Sequence, residues 1–205
     1  MRVAVVGNAP PKKDFGKAID SADVVIRFNR LYNLDTGLVG SKFDIWCLCT
    51  HGAPVVDFVK PHVSKLLPKV KGISEILFGS PADIVIPGTG GMREEGKRIR
   101  DNLEWEGPWS NVPVKFYKEL RKSIWEAHMN VRREDIGDEF IPSTGLVGIQ
   151  WAMSIPRFKG WDVDVFGFDF FRGWSRSCHP STAERLYVEH LAKAGRITYN
   201  DPGGA

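Results

Sequence analysis

The stretch that decides the fold is Val3-Ala4-Val5-Val6-Gly7-Asn8-Ala9, in which four apolar residues are followed by a glycine and an asparagine. Because the run is apolar at every position, it predicts a strand that is covered on both faces, as in a parallel sheet. Gly7 would allow close backbone approach, and the Asn8 amide can both donate and accept hydrogen bonds. Ligands of open α/β sheets bind where strands end, so residues 7–9 are candidates for a binding loop, with a plain turn as the alternative.

Further runs of this kind predict a whole sheet. The additional strands are expected at Asp23–Ile26, Asp44–Cys49, Glu75–Gly79, Asp83–Ile86 and Val163–Phe168. Apolar residues at helical spacing predict helices at Pro113–Met129, Gly145–Ile155 and Ala183–Ala194. Strands that alternate with helices indicate an α/β fold, in which a mostly parallel sheet carries helices on both faces.

Length and composition limit the possible classes of protein. The 205 residues fit a single domain over residues 1–205. Residues 87–111 are polar and contain several glycines and prolines, so we expect a mobile excursion there. The net charge of +3 is mild, which predicts no nucleic-acid partner but suits an anionic small molecule. Since no stretch reaches the roughly 18 apolar residues of a membrane span, we expect a cytoplasmic protein, with peripheral membrane attachment left open.

Two spacings resemble metal sites only superficially. Cys47 and Cys49 lie two apart in a predicted strand and should share one face, but with Cys178 as the third cysteine the spacing suits no zinc site. Asp162-Val163-Asp164 has the Asp-x-Asp spacing of metal-binding motifs, yet it precedes the apolar part of its strand. We therefore interpret the aspartates as the start of a strand, and predict reduced thiols and no metal.

A second polar strand end follows the run Asp23-Val24-Val25-Ile26-Arg27-Phe28-Asn29. Arg27 and Asn29 are expected to point the same way, since side chains two apart in a strand share a face. If this strand lies beside the first, Asn29 and Asn8 meet at the same carboxyl edge. The alternative is that both side chains only solvate a strand end.

Two helix starts carry polar groups. Ser143 and Thr144 precede an apolar helix in Pro142-Ser143-Thr144-Gly145-Leu146, which is a helix-capping pattern. Free amides and the helix dipole would also make this a phosphate or carboxylate site. His179 lies beside Pro180 before the last predicted helix, where it could act as a general base. Ser181 and Glu184 have the spacing of a capping box.

Together these stretches resemble the sialylmotifs of the animal-type sialyltransferases, glycosyltransferase family 29. Residues 3–41 resemble the large motif, Pro142–Leu146 with Val163–Phe168 resembles the small motif, and His179–Glu184 resembles the very small motif, His-x₄-Glu. The family's third motif, a His-Tyr pair, has no clear match. Its place is occupied by Phe171–Arg176, in which Arg172 or Arg176 could supply the missing positive charge.

The resemblance implies a Rossmann-like sheet of the glycosyltransferase A variant type. It also implies inverting, metal-independent transfer of sialic acid from a CMP-activated donor to a glycan hydroxyl, with no cofactor beyond that donor. The donor-binding residues it implies are Gly7, Asn8, Ala9 and Asn29 for CMP, Ser143, Thr144 and Gly145 for the phosphate or carboxylate, and Gly167 and Phe168 near the nucleotide. His179 would be the catalytic base.

Three other functions compete with this hypothesis. A CMP-Kdo-dependent transferase would use the same residues, because Kdo and sialic acid are both carboxylated ketoses. A non-catalytic nucleotide-binding module would keep the fold and lose the activity. A dinucleotide enzyme is disfavoured, because the glycines after the first strand do not follow the Gly-x-Gly-x-x-Gly spacing.

Overall fold

The computed structural model describes residues 1–50, 72–83, 92–127, 140–170 and 179–200. Its strands are β1 (Arg2–Val6), β2 (Val24–Phe28), β3 (Ile45–Leu48), β4 (Glu75–Phe78), β5 (Trp109–Asn111), β6 (Asp162–Phe166) and β7 (Thr198–Asn200). Its α-helices are α1 (Gly16–Asp20), α2 (Met92–Asn102), α3 (Val114–Ala127), α4 (Thr144–Ser154) and α5 (Ser181–Lys193). Single 3-10 turns cover Leu34–Thr36 and Pro156–Phe158.

The seven strands form one sheet in the order β5-β4-β3-β2-β1-β6-β7, and every neighbouring pair is parallel. β1 lies inside the sheet, where Val5 is paired with Ile26 on one side and with Val165 on the other. From β1 the chain builds outward to β5 and then returns to β6 on the opposite side. The strand order therefore reverses between β1 and β6, which is where open α/β sheets bind their ligands.

Both faces of the sheet are covered, as the continuous apolar runs predict. In β1, Val3 and Val5 pack into the cluster that contains residues of α3, α4 and α5, whereas Ala4 and Val6 pack with Phe15 and the α1 side. Ile99 of α2 packs on that second face, against residues of β3 and β4. The predicted α/β fold, a parallel sheet between two layers of helices, is confirmed.

The excursion expected at residues 87–111 contains regular structure in its described part. Residues 92–102 form α2 and residues 109–111 form the edge strand β5. The sequence pattern missed α2 because its exposed residues are charged and few of its side chains enter the core. It missed β5 because three residues, Trp-Ser-Asn, give no apolar run. Of the strand predicted at Asp83–Ile86, Asp83 lies in a turn and the rest is outside the described residues.

The prediction that Cys47 and Cys49 share a face is wrong. Cys47 packs with β2 and α4 residues on one side of the sheet, and Cys49 packs with Trp46 and Leu48 on the other. β3 ends at Leu48, so the two-residue alternation no longer holds at Cys49. Both side chains are buried and neither is in a disulfide. Burial raises the pKa of Cys47, which disfavours the reactive thiolate. Cys178 lies outside the described residues.

Neither a membrane helix nor a metal cluster is present in the described part of the chain. None of its helices is long and apolar enough to cross a bilayer. Its His, Cys, Asp and Glu side chains form no group of three or more that could hold a metal ion.

Candidate functional site

The site is built on the two loops that follow β1 and β6. The Gly7 amide donates to the Phe166 carbonyl at 2.8 Å, and the Ala9 amide donates to the Gly167 carbonyl at 2.9 Å, so the loops stay paired beyond the sheet. A Cβ atom on Gly7 would lie 2.3 Å from the Gly167 oxygen. Gly167 itself has a φ of +65°, which favours glycine. Both glycines are thus required by the close approach of the two backbones.

Asn8 and Asn29 lie at this same edge. The Asn8 Nδ2 donates to the Phe28 carbonyl at 3.0 Å, and Phe28 is the residue before Asn29. The Asn29 Oδ1 accepts the Cys49 amide at 2.9 Å, which ties the ends of β2 and β3 together. These contacts hold the loop ends in place, and among the described residues the Asn29 Nδ2 and the Asn8 Oδ1 make no hydrogen bond.

The prediction that Arg27 and Asn29 point the same way is wrong. Arg27 is buried, and its guanidinium donates to the carbonyls of Lys42, Val39 and Gly40. Asn29 lies beyond the end of β2 and has a left-handed φ of 45°, so strand alternation does not reach it. Arg27 therefore supports the loop at residues 39–42 and does not reach the candidate site through these contacts.

Strained backbone is concentrated at this edge. Asn29, Leu31 and Phe170 have φ values of 45°, 56° and 50°, and they account for three of the four non-glycine residues with positive φ in the described ranges. Such conformations cost about 1–3 kcal/mol each and are frequent at functional sites. Asn33, which sequence reasoning missed, donates from Nδ2 to the Ala9 carbonyl at 2.8 Å and so joins the loop after β2 to the loop after β1.

Helix α4 begins directly over these loops. The Ser143 Oγ accepts the Leu146 amide at 3.2 Å, so the predicted N-cap is confirmed. A Cβ on Gly145 would lie 2.5 Å from Cε1 of Phe168, and a Cβ on Gly79 would lie 2.9 Å from Cγ2 of Thr144. The start of α4 is therefore in contact with the ends of both β6 and β4.

Phe168 fills the space between β1, β2 and α4. Its ring meets Phe28 edge-on at 5.6 Å and stacks on Phe170 at 6.0 Å. Its carbonyl accepts the Tyr199 hydroxyl at 2.8 Å, a contact from β7 that the sequence pattern did not indicate. Only 9% of Phe168 is exposed, so its ring acts through packing against Phe28 and Phe170.

His179 is held beside the start of α4. Its Nδ1 lies 2.8 Å from the carbonyl oxygen of Ile141, two residues before Ser143. A carbonyl can only accept, so the neutral imidazole carries its proton on Nδ1 and its lone pair on Nε2. That tautomer is the one that a general base needs.

Glu184 makes a contact that its sequence spacing did not predict. The side chain is fully buried; its Oε1 accepts the Ser143 amide at 2.6 Å, and its Oε2 accepts the Ser143 hydroxyl at 2.6 Å. The capping-box interpretation is wrong, because no side chain caps α5 and Glu184 reaches across to α4. Burial raises the pKa of Glu184 to about 7, although the hydrogen bonds from Ser143 act in the opposite direction.

The structure thus collects the sequence-selected residues at one edge of the sheet. A continuous set of contacts runs from His179 through residues 141–145 to Phe168, and from there to the β1 and β2 loops. Arg172 and Arg176 lie outside the described residues.

The Asp-x-Asp pair lies at the opposite edge. β6 begins at Asp162, which is paired with Arg2 at the start of β1. Asp164 Oδ2 lies 3.7 Å from Nη1 of Arg2. The interpretation of these aspartates as the start of a strand is confirmed.

The chain is similar in sequence to a curated bacterial protein. It is 26% identical over 202 residues to the urease operon 23 kDa accessory protein of Rhizobium meliloti (strain 1021), and the alignment covers 95% of this chain and 90% of that protein. No protein family model matches the chain.

The structure is similar to solved sialyltransferases of Campylobacter jejuni. CstII in complex with the substrate analogue CMP-3FNeuAc superposes with a TM-score of 0.57 at 16% identity, over 97% of this chain and 80% of that one. An α-2,3-sialyltransferase in its apo form gives a TM-score of 0.55 at 15% identity, over 97% of this chain and 74% of that one.

A third solved structure is that of CST-II with a trisaccharide acceptor and CMP. It gives a TM-score of 0.56 at 15% identity, over 97% of this chain and 79% of that one. At 15–16% identity these neighbours show a shared fold, and they leave the resemblance to the animal-type family untested. The chain therefore shares the α/β fold of the Campylobacter sialyltransferases.

Proposed function

We propose that the chain is a glycosyltransferase that moves an acidic sugar, sialic acid, from a CMP-activated donor to a glycan hydroxyl, with inversion and without a metal. The observation that carries the proposal is the position of His179. Its Nδ1 is anchored on Ile141, next to the amino end of α4, and the first turn of α4 packs against Phe168, which follows β6. The fold shared with sialyltransferases that were solved with CMP ligands supports the choice of donor.

The donor would lie across the ends of β1, β2 and β6. Gly7, Asn8, Ala9 and Asn29 would contact CMP, with Gly167 and Phe168 beside the nucleotide. The amides of Thr144 and Gly145 belong to the first turn of α4, where backbone N–H groups have no acceptor within the helix. They would bind the donor's phosphate or carboxylate, and the helix dipole would favour that negative charge.

The chemistry follows from these positions. His179 Nε2 takes the proton of the acceptor hydroxyl while the hydroxyl oxygen bonds to the anomeric carbon. The bond from that carbon to the phosphate oxygen breaks, and its electron pair leaves with CMP, through a transition state of oxocarbenium character. The aspartates of the Asp-x-Asp pair lie at the far edge. The Thr144 and Gly145 amides would therefore stabilise the negative charge on the departing phosphate.

A transfer assay tests this function directly. The protein is incubated with CMP-sialic acid or CMP-Kdo and a panel of glycan acceptors, and released CMP is measured with and without EDTA. We expect CMP release from CMP-sialic acid, slower release when water is the only acceptor, and no effect of EDTA. Release only from CMP-Kdo would mean that the transferred sugar is Kdo and that the proposed reaction is otherwise the same. Release from neither donor, or release that EDTA abolishes, would contradict the proposal.

A second candidate is a nucleotide-binding module without catalytic activity. It is favoured by the curated relative, which is named as an accessory protein and not as a transferase. The same assay separates the two functions, because such a module would bind CMP without releasing it from either donor. We also propose that the protein acts in the cytoplasm, where the buried thiols of Cys47 and Cys49 would stay reduced.

A further inference from the structure

Glu184 is a buried acid whose hydrogen bonds within the described part of the chain all go to Ser143 of the candidate site. The side chain is fully buried, and both carboxyl oxygens lie 2.6 Å from Ser143 atoms, one from the amide nitrogen and one from Oγ. No lysine, arginine or histidine in the described ranges forms an ion pair with it. A buried acid with no cation beside it calls for an explanation beyond stability, since burial of an unpaired charge is costly.

The direction of the Ser143 hydrogen bond depends on the charge of Glu184. Ser143 Oγ already accepts the Leu146 amide. When Glu184 is ionised, the Ser143 hydroxyl must donate its proton to Oε2, so it has none left for a ligand. When Glu184 is protonated, Oε2–H donates to Ser143 Oγ, and the Ser143 hydroxyl proton is released for another acceptor.

We propose that Glu184 is a positioning residue of the donor site, whose protonation releases the Ser143 hydroxyl to donate to the anionic group bound at the start of α4. The identity of that anion as the donor's phosphate or carboxylate rests on the proposed function. An ionised Glu184 opposes such an anion twice, because it holds the Ser143 proton and places a like charge at the same helix end.

The surroundings of Glu184 allow its charge to change near neutral pH. Burial raises its pKa to about 7. From α3, Tyr117 faces it, with its own pKa raised by burial and by Glu184, while Arg121 acts on Tyr117 in the opposite direction. From the turn before α5, His179 is tied to Ile141 in the same loop as Ser143. Within the described residues, Tyr117, Arg121 and His179 are thus the titratable or charged groups near Glu184 and Ser143.

Glu184→Gln tests the proposal, because glutamine imitates the protonated acid. Its Oε1 can accept the Ser143 amide, and its Nε2 can donate to Ser143 Oγ. We expect the affinity of the wild-type protein for CMP to fall about tenfold more than that of Glu184→Gln between pH 6 and pH 8, since the protonated fraction of an acid with a pKa of about 7 falls by that factor. Glu184→Gln should bind CMP about as tightly as the wild type at pH 6 and about tenfold more tightly than the wild type at pH 8.

The phosphate of CMP titrates in both proteins, so the difference in pH dependence between the two proteins isolates Glu184. Calorimetric titration with CMP at the two pH values gives the four affinities. Equal pH slopes in the two proteins would overturn the proposal, as would a loss of more than about tenfold in CMP affinity at pH 6 in Glu184→Gln.

An NMR titration without ligand separates this proposal from the proposed function. The Ser143 amide signal of the wild-type protein should shift with a midpoint near pH 7, and that of Glu184→Gln should not. If the signals behave so but CMP does not bind, the donor assignment fails and the Glu184 switch stands. If CMP binds but the Ser143 signal does not titrate, the Glu184 proposal fails and the donor assignment stands.

Discussion

Replacement of His179 by alanine is expected to lower sugar transfer by ~10²–10⁴-fold and to leave the affinity for CMP within about threefold of the wild-type value. The His179 Nδ1 donates to the Ile141 carbonyl, so the backbone orients the ring and the neutral tautomer carries its lone pair on Nε2. The imidazole would act on the acceptor hydroxyl, while CMP would contact other residues. The loss should therefore fall on kcat and spare binding.

His190→Ala is the matched control. His190 lies in the last turn of α5, the helix that follows His179, and is exposed, so its removal should change neither transfer nor CMP affinity. Kinetics give kcat and KM for each variant, and calorimetry gives the CMP affinity. Normal transfer by His179→Ala would remove His179 from the mechanism. A parallel loss of CMP affinity and of transfer would make it a binding residue.

Gly7→Ala is expected to destabilise the fold by at least ~1–3 kcal/mol, the usual cost of overpacking. The added Cβ would lie 2.3 Å from the Gly167 carbonyl oxygen and 3.0 Å from the Gly167 carbonyl carbon. These are backbone atoms, held by the hydrogen bonds from Gly7 to Phe166 and from Ala9 to Gly167, so they cannot move aside cheaply. Because the β1 and β6 loops must separate, CMP affinity should fall as well.

Gly96→Ala is the control for this second substitution. Gly96 is interior to α2, and a Cβ there would meet the Phe78 ring at an ordinary contact distance of 3.5 Å. An alanine in a helix interior is favoured over glycine by ~0.5–1 kcal/mol, so this variant should be slightly more stable than the wild type. Urea unfolding measures both variants. A Gly7→Ala protein as stable as the wild type would contradict the close packing of the two loops.

The core of the fold could be predicted because its strands are unusually simple in pattern. Runs such as Val3–Val6 are apolar at every position, and this pattern is typical of strands that are covered on both faces. The α2 helix and the edge strands β5 and β7 could not be predicted in the same way. α2 consists mostly of charged residues, so it lacks a clear apolar stripe. The two edge strands are three residues long, which is too short for a strand pattern to be recognised.

The candidate site was predictable where it depends on strand ends. Parallel strands end at one edge, so Asn8, Asn29 and Gly167 had to lie near one another once the sheet was known. The contacts of Glu184 and Asn33 could not be predicted, because their partners are 41 and 24 residues away in sequence. Local spacing even indicated the wrong partner for Glu184, which was Ser181. A sequence alone does not distinguish a capping box from a contact with a distant loop.

The central claim is that the edge formed by β1, β6 and the start of α4 binds CMP. A thermal-shift titration with CMP, alongside UMP and NAD and with and without EDTA, tests it most directly. A ligand that binds only the folded state stabilises it by about 2.7 kcal/mol at one hundred times its Kd. We predict that CMP raises the melting temperature, that EDTA leaves this shift unchanged, and that NAD gives none. No shift with millimolar CMP would contradict the account.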